Sequence, residues 1–273
     1  MIRSPGYIMF RNVVFLTVGL VLAMFALAWF SAVGGRHQGS PEPEQVVRLF
    51  DSVAFSGFGE QGPTGQGPVL RRWTVPVTVG VRGQPLGRDD DERPWTMALR
   101  EYVTAWNSVR GLSLSVVNLP VTEDSRRLLE DPSDASLRIL VLPEQALVDL
   151  AFQNVIPRTH AAELADRRRG CTVLGAEGPA LSNVVLLVRD DVGRSARATC
   201  LGHGLAKALG FGIDARTASD VFRSRPDGLG FLPAGRMVAE LVYDPAFVPG
   251  QPRHDILPLI PELLEQRGMI DHE

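Results

Sequence analysis

CLGHGLAKALGFG, running from Cys200 to Gly212, is the stretch on which the reading of this chain turns. Leu201, Leu205 and Leu209 recur at helical spacing, so a helix is expected from about Ala198 to Leu209, with Gly210 placed to cap its C-terminus. Two imidazoles one turn apart on a helix can hold zinc, and a glutamate beside the first can deprotonate the metal-bound water; that is the pattern His-Glu-x-x-His. This stretch keeps only His203 of the three working groups. Gly204 stands where the base would be, and Lys207, a cation at neutral pH, stands at the second ligand position. The helix therefore argues more for a fold than for a reaction.

Working outward, Asn183 to Val188 (NVVLLV) is a continuous apolar run suited to a strand covered on both faces, and it leads through a polar turn into the helix. Arg71 to Arg82 alternates Val75, Val77, Val79 and Val81 at strand period, and Pro76, which cannot donate to a ladder, predicts an edge strand. Trp95, Leu99, Tyr102, Val103, Trp106 and Val109 follow helical spacing that stops at Gly111. Leu112, Leu114 and Val116 alternate as a strand, and Leu137 to Leu142 supplies another. Helices are expected in the second half of Val155 to Arg169, ending in the solvated run Arg167, Arg168, Arg169, and near Gly235 to Val242 and Ile256 to Glu265. Strands and helices in this order predict an α+β domain with a small mixed sheet and a central helix.

The N-terminus decides the compartment. Val13 to Phe30 is uncharged over 18 residues and continues apolar to Val33, long enough to span a hydrocarbon core. Arg3 and Arg11 precede it without an acid, which places the N-terminus in the cytoplasm and the rest of the chain in the periplasm, as a single-pass inner-membrane protein. The other reading is a signal peptide cleaved after Ala26-Leu27-Ala28, which leaves a secreted or periplasmic product. The expected layout is a cytoplasmic N-terminus at 1–12, a transmembrane signal anchor at 13–33, and a linker at 34–68 with one amphipathic turn around Val46, Val47, Leu49 and Phe50. An exported domain follows at 69–268 and a tail at 269–273. Both readings expose Cys171 and Cys200, the only two cysteines, to an oxidising environment, so a disulfide between them is expected. A net charge of -3 with no basic stripe argues against nucleic acid. Neither a GxSxG elbow nor a phosphate-cradling GxxxxGK is present.

Leu241, Tyr243, Asp244, Pro245 and Gly250 complete a second motif downstream. Together with Cys200, Leu209, Gly210, Phe211 and Asp214 it resembles a bacterial exported family of unknown function with a zincin-like domain. That family's motif reads Cys-x-x-Glu-Glu-x-x-Gln-x-Leu-Gly-Leu, followed later by Tyr-Asp-Pro. An upstream cysteine of the family corresponds to Cys171, and its Trp-led first strand to the one beginning at Trp73. This chain departs from the pattern with His203, Gly204 and Lys207 at the Glu-Glu and Gln positions, and with Ser219, Asp220, Val221, Phe222 and Arg223 in a weakened downstream segment. The resemblance implies a catalytically degenerate, membrane-anchored envelope domain that needs no cofactor and binds a protein, peptide or wall component. The alternative is a metal-dependent peptidase centred on His203, with zinc held by further ligands from among His160, His254, Asp214, Asp220 and Asp244. Asp244 before Pro245 is otherwise expected as a turn or cap group.

Overall fold

The apolar run NVVLLV forms the central strand of the only large sheet among the described residues. The computed structural model describes residues 41–55, 68–82, 95–119, 129, 135–166, 170–176, 178–213, 215–225 and 228–270. The expected anchor at 13–33, Asp214 and the run Arg167 to Arg169 lie outside them. Among the described residues no helix is long and apolar enough to cross a membrane.

In chain order the elements are α1 (Pro43–Phe55), β1 (Val77–Arg82), α2 (Trp95–Asn107), β2 (Leu114–Asn118), β3 (Leu137–Leu142), α3 (Glu144–Phe152), α4 (Arg158–Ala165), β4 (Cys171–Leu174), β5 (Val184–Arg189) and α5 (Arg194–Ala208). They continue with α6 (Ala215–Val221), the hairpin β6 (Phe222–Arg225) and β7 (Gly228–Phe231), α7 (Pro233–Val242), α8 (Arg253–Ile256), a 3₁₀ turn (Leu257–Leu259) and α9 (Ile260–Gln266). The five-stranded sheet has the order β2-β1-β3-β5-β4. β1, β2, β3 and β5 are parallel, and β4 joins β5 antiparallel at one edge, pairing Cys171 with Val188 and Leu174 with Val185. This is the expected α+β domain with a small mixed sheet.

Strand period sorts the core into two layers. Val77, Val79, Leu137, Ile139, Val141, Val184, Leu186 and Val188 face one way, into a cluster with Val103 and Trp106 of α2 and Leu201 and Leu205 of α5. Leu140, Leu142, Val185 and Leu187 face the other way, against Leu147 and Leu150 of α3 and Leu164 of α4. β3 and β5 are buried along their whole length because both faces are covered, which is why neither shows alternation in sequence.

Two expectations are corrected. β1 is not an edge strand: it lies between β2 and β3. Pro76 sits one residue before the ladder, whose first donor is Val77 N–H to the Ser113 carbonyl at 2.8 Å, so its missing N–H costs the sheet nothing. The expected linker also contains folded structure. α1 buries Val46, Phe50, Val53 and Ala54 completely against α7 and α9, so the amphipathic patch is a core helix and the compact unit reaches back to Glu42.

Candidate functional site

Cys200, His203 and Lys207 form one stripe of α5, because residues at i, i+3 and i+7 of a helix share a side. At about 100° per residue, His203 and Lys207 fall about 60° and 20° to one side of Cys200, while Gly204 falls about 40° to the other. Two contacts fix what each side meets. Cys200 is disulfide-bonded to Cys171 of the edge strand β4, with Cα atoms 5.8 Å apart, so the expected disulfide is present and the stripe lies along β4. Gly204 faces the sheet: a Cβ there would stand 2.5 Å from Leu186 Cδ1. Gly202, on the far side of the helix, faces the Tyr102 ring of α2, where a Cβ would meet the hydroxyl at 3.2 Å. Burial raises the Tyr102 pKa, and the neighbouring Glu101 carboxylate adds to it.

The helix runs in the same direction as β4. Cys200 is level with Cys171, and Gly204 sits over Leu186, which pairs with Val173. Lys207, about 4.5 Å further along the axis, is level with the end of β4. His203 and Lys207 are both half-buried. The outer edge of β4 lies beside them, partly exposed at Cys171 and covered at Val173. Arg189 N–H donates to the Gly170 carbonyl at 2.8 Å, so alternation turns the backbone groups of Thr172 and Leu174 toward β5 and those of Cys171 and Val173 away from it. Among the described residues no backbone group pairs with that outer side. The strip between this strand edge and the His–Lys stripe, here called the trough, is partly exposed at Cys171, His203 and Lys207 and covered at Val173.

The end of α5 is closed by a glycine motif and two aromatic side chains. Gly210 takes φ 94°, Gly210 N–H donates to the Lys207 carbonyl and Phe211 N–H to the Ala206 carbonyl, both at 3.0 Å, which is a Schellman termination. Trp73 Nε1 donates to the Ala208 carbonyl at 2.9 Å and the Tyr243 hydroxyl to the Leu209 carbonyl at 2.8 Å. Trp73 precedes β1 and does not lead a strand; its work is at this helix terminus. Burial pushes the Tyr243 phenol well above its ordinary pKa, so it stays a neutral donor. Replacing Tyr243 by Phe leaves a buried carbonyl unsatisfied, and urea unfolding should show a loss of about 1–2 kcal/mol; an unchanged midpoint would mean that Leu209 is satisfied in another way.

Tyr243 and Asp244 thus hold the frame around the trough. Arg72 Nη1 donates to the carbonyls of Val242, Asp244 and Phe247 at 3.1, 2.7 and 3.2 Å, with its guanidinium 5.6 Å from the centre of the Tyr243 ring. Burial lowers the Arg72 pKa, opposed by Tyr243 and Asp244. Asp244 accepts from Arg267 Nε and Nη2 at 3.0 and 3.1 Å and from Ala246 N–H at 2.8 Å, the turn-forming role its place before Pro245 suggests.

The other candidate ligands do not converge on His203. His160 is on α4, and its Nδ1 lies 2.7 Å from Thr172 Oγ1, which donates to Glu163 at 2.6 Å. Thr172 points to the sheet face opposite Cys171, so His160 and α5 are on opposite sides of the sheet. His254 is exposed on α8 beside Asp255, Asp220 is exposed on α6, and Asp244 is engaged by Arg267. Among the described residues no group of three His, Cys, Asp or Glu side chains forms a metal-ligand set. A second concavity of about 330 Å³ lies between α3 and α4, lined by Leu147, Val148, Phe152 and Leu164. Among the described residues the one cation there, Arg189, is already held by Asp191 at 2.8 and 2.5 Å, by Glu144 at 3.1 Å and by the Leu164 carbonyl at 3.1 Å.

Fold and site together define an α+β domain, its mixed sheet covered on both faces, with a disulfide-tied edge strand beside a glycine-capped helix. The chain belongs to the family described as protein of unknown function DUF2927, which matches residues 43–262 and so begins where α1 begins. No curated protein and no solved structure matches the chain.

Proposed function

We propose that the chain is an exported, membrane-anchored envelope domain with a catalytically degenerate zincin-like fold, and that it binds an extended protein or peptide segment in the trough between β4 and α5. The observation that carries this reading is the outward-facing backbone of the partly exposed Cys171 on the edge strand beside the half-buried His203–Lys207 stripe. An extended chain can add to such an edge through main-chain hydrogen bonds, and a neighbouring helix then reads alternate side chains. Gly204 supports the non-catalytic half of the reading, since the position a general base would need is packed against Leu186. The apolar run Val13 to Val33 supports anchoring, and the Cys171–Cys200 disulfide supports an oxidising compartment. Wall components other than peptides offer no strand to pair with β4, so a polypeptide is the favoured ligand.

The test uses heptapeptides selected from a displayed library against the full chain in nonionic detergent. Bound peptide should slow amide hydrogen exchange at Cys171, and N-methylation of alternate peptide residues should abolish binding in one phase only. Protection confined to another surface would sink the proposal. The same preparation should hold no stoichiometric zinc and should keep its melting temperature in a chelator; one zinc per chain, lost together with stability, would instead favour the peptidase reading.

A further inference from the structure

The concavity between α3 and α4 lies on the face of the sheet opposite α5, so it is separate from the trough. Its two ends differ in charge. Arg189 touches both Glu144, at the start of α3, and the Leu164 carbonyl, near the end of α4, so those two termini share one end of the groove. Asp191 also binds Arg189, and one cation there faces two carboxylates among the described residues. The short connection from Gln153 to Pro157 puts Phe152 and Arg158 together at the other end. Glu144, Val148 and Phe152 recur every four residues and form one stripe of α3, about 12 Å long with Val148 at its midpoint. Arg158, Ala161 and Ala165 form the facing stripe of α4, at i, i+3 and i+7. Phe152 is 88% exposed and Val148 53% exposed, so an aromatic ring stands out of the surface beside an apolar hollow of about 330 Å³.

We propose that this face is the contact between two copies of the chain, related by a two-fold axis near Val148. A two-fold contact brings one patch against itself turned end for end, so every feature needs its complement on the same patch. The α3–α4 face meets that requirement. Glu144 and Phe152 each lie about 6 Å along the helix from Val148, and the reversal exchanges them. Val148 then meets Val148 at the axis, the Phe152 ring of each copy lies over the hollow beside Leu147 and Leu164 of the other, and Arg158 of each faces Glu144 of the other. A foreign protein would give no reason for ring, hollow and both charges to occur together at two-fold positions. An anionic lipid surface fits worse, because the charged residues of α3, Glu144 and Asp149, are both acidic. Two helices of nine and eight residues cover less than a standard interface of about 800 Å² per partner, so monomer and dimer should exchange at about 10–100 μM chain.

The test uses the full chain in nonionic detergent with one added cysteine, because Cys171 and Cys200 are joined to each other and the chain has no further cysteine. Val148→Cys should be cross-linked to itself by a short bismaleimide, with a yield that rises across about 10–100 μM chain. Val75→Cys, as exposed as position 148 but outside the hairpin, should give about tenfold less. Adding Phe152→Glu to Val148→Cys should lower the yield by about the same factor, since it places a charge where the ring would be buried. Glu144→Gln and Arg158→Gln, each added alone, should weaken dimerisation about threefold, and both together no more than either one. Phe152 and Arg158 are exposed, so their variants should melt with the parent, and far-UV circular dichroism checks that all of them fold. Cross-linking that is equal at positions 75 and 148, or that survives Phe152→Glu, overturns the assignment of this face. Additive effects of Glu144→Gln and Arg158→Gln overturn the two-fold arrangement that pairs them. A chain that stays monomeric at about 100 μM overturns the dimer and leaves the face to a different protein or to lipid.

Discussion

Replacing Gly204 by Glu, the change that would restore His-Glu to the central helix, should cost at least about 4 kcal/mol and leave little folded protein. The Cβ alone would stand 2.5 and 3.0 Å from the two Cδ atoms of Leu186, and Leu186 is fully buried in β5 with neighbours on both sides. Overpacking of this kind costs about 1–3 kcal/mol. The carboxylate then adds the larger penalty, since it enters an apolar helix–sheet interface with no partner. Gly204→Ala separates the two effects: its steric cost is partly offset by the helix propensity that alanine gains over glycine, about 1 kcal/mol, so it should fall well short of the glutamate variant. Trimming the obstacle in a Gly204→Glu/Leu186→Ala double variant should relieve the clash, giving a favourable coupling of about 1–2 kcal/mol. Urea midpoints for these proteins, with the Leu186→Ala single variant that closes the cycle, check this. A Gly204→Glu chain as stable as the parent would mean that position 204 faces solvent, and that the orientation of α5 and the non-catalytic reading are both wrong.

Position 204 also shows what a sequence can and cannot reveal here. Glycine at the base position is visible in the string, but the reason for it is a residue 18 places away on a strand, and only the packing of α5 on β5 brings Leu186 beneath it. The elements themselves were largely legible, because NVVLLV, LRILVL and the 3.6-residue pattern of α2 and α5 are strong local signals. Gly210 was legible as a cap for the same reason, since a left-handed residue after a helix favours glycine. The order of the strands was not. Parallel pairing of β1 with both β2 and β3 is a long-range choice, and Pro76 pointed to an edge although it lies just outside the ladder. In sequence α1 looks like a turn within a tether, because the glycine- and proline-rich stretch after it resembles a linker in composition while its buried face is specified by α7 and α9. Tyr243 and Asp244 were legible as a motif but not as a frame: their partners Leu209, Arg72 and Arg267 come from three separate segments.

Removing the disulfide should have the second-largest effect. Cys171 and Cys200 are 29 residues apart, and in the chain-entropy model opening a loop of that size costs about 3–4 kcal/mol through the freedom returned to the unfolded chain. Paired alanine substitutions at Cys171 and Cys200 avoid placing a hydroxyl at Cys200, which is almost fully buried, and so isolate the loss of the cross-link. The urea midpoint should fall by an amount matching that cost, measured against the oxidised parent. A local consequence should accompany the global one. β4 is only four residues long and pairs with a single strand, while α4 and α5 press on its two faces; the disulfide is its one covalent tie to the helix. Hydrogen exchange in the paired-alanine chain should therefore rise at Thr172 and Leu174 by more than at Leu186 and Leu187 of β5, since an edge strand opens before a central one. Peptide affinity should fall with it, because the edge and the stripe would no longer be held at a fixed spacing. Exchange rising equally across β4 and β5 would show that the cross-link stabilises the domain as a whole without setting the trough, and the ligand-binding role of the β4 edge would then lose the feature that fixes its geometry.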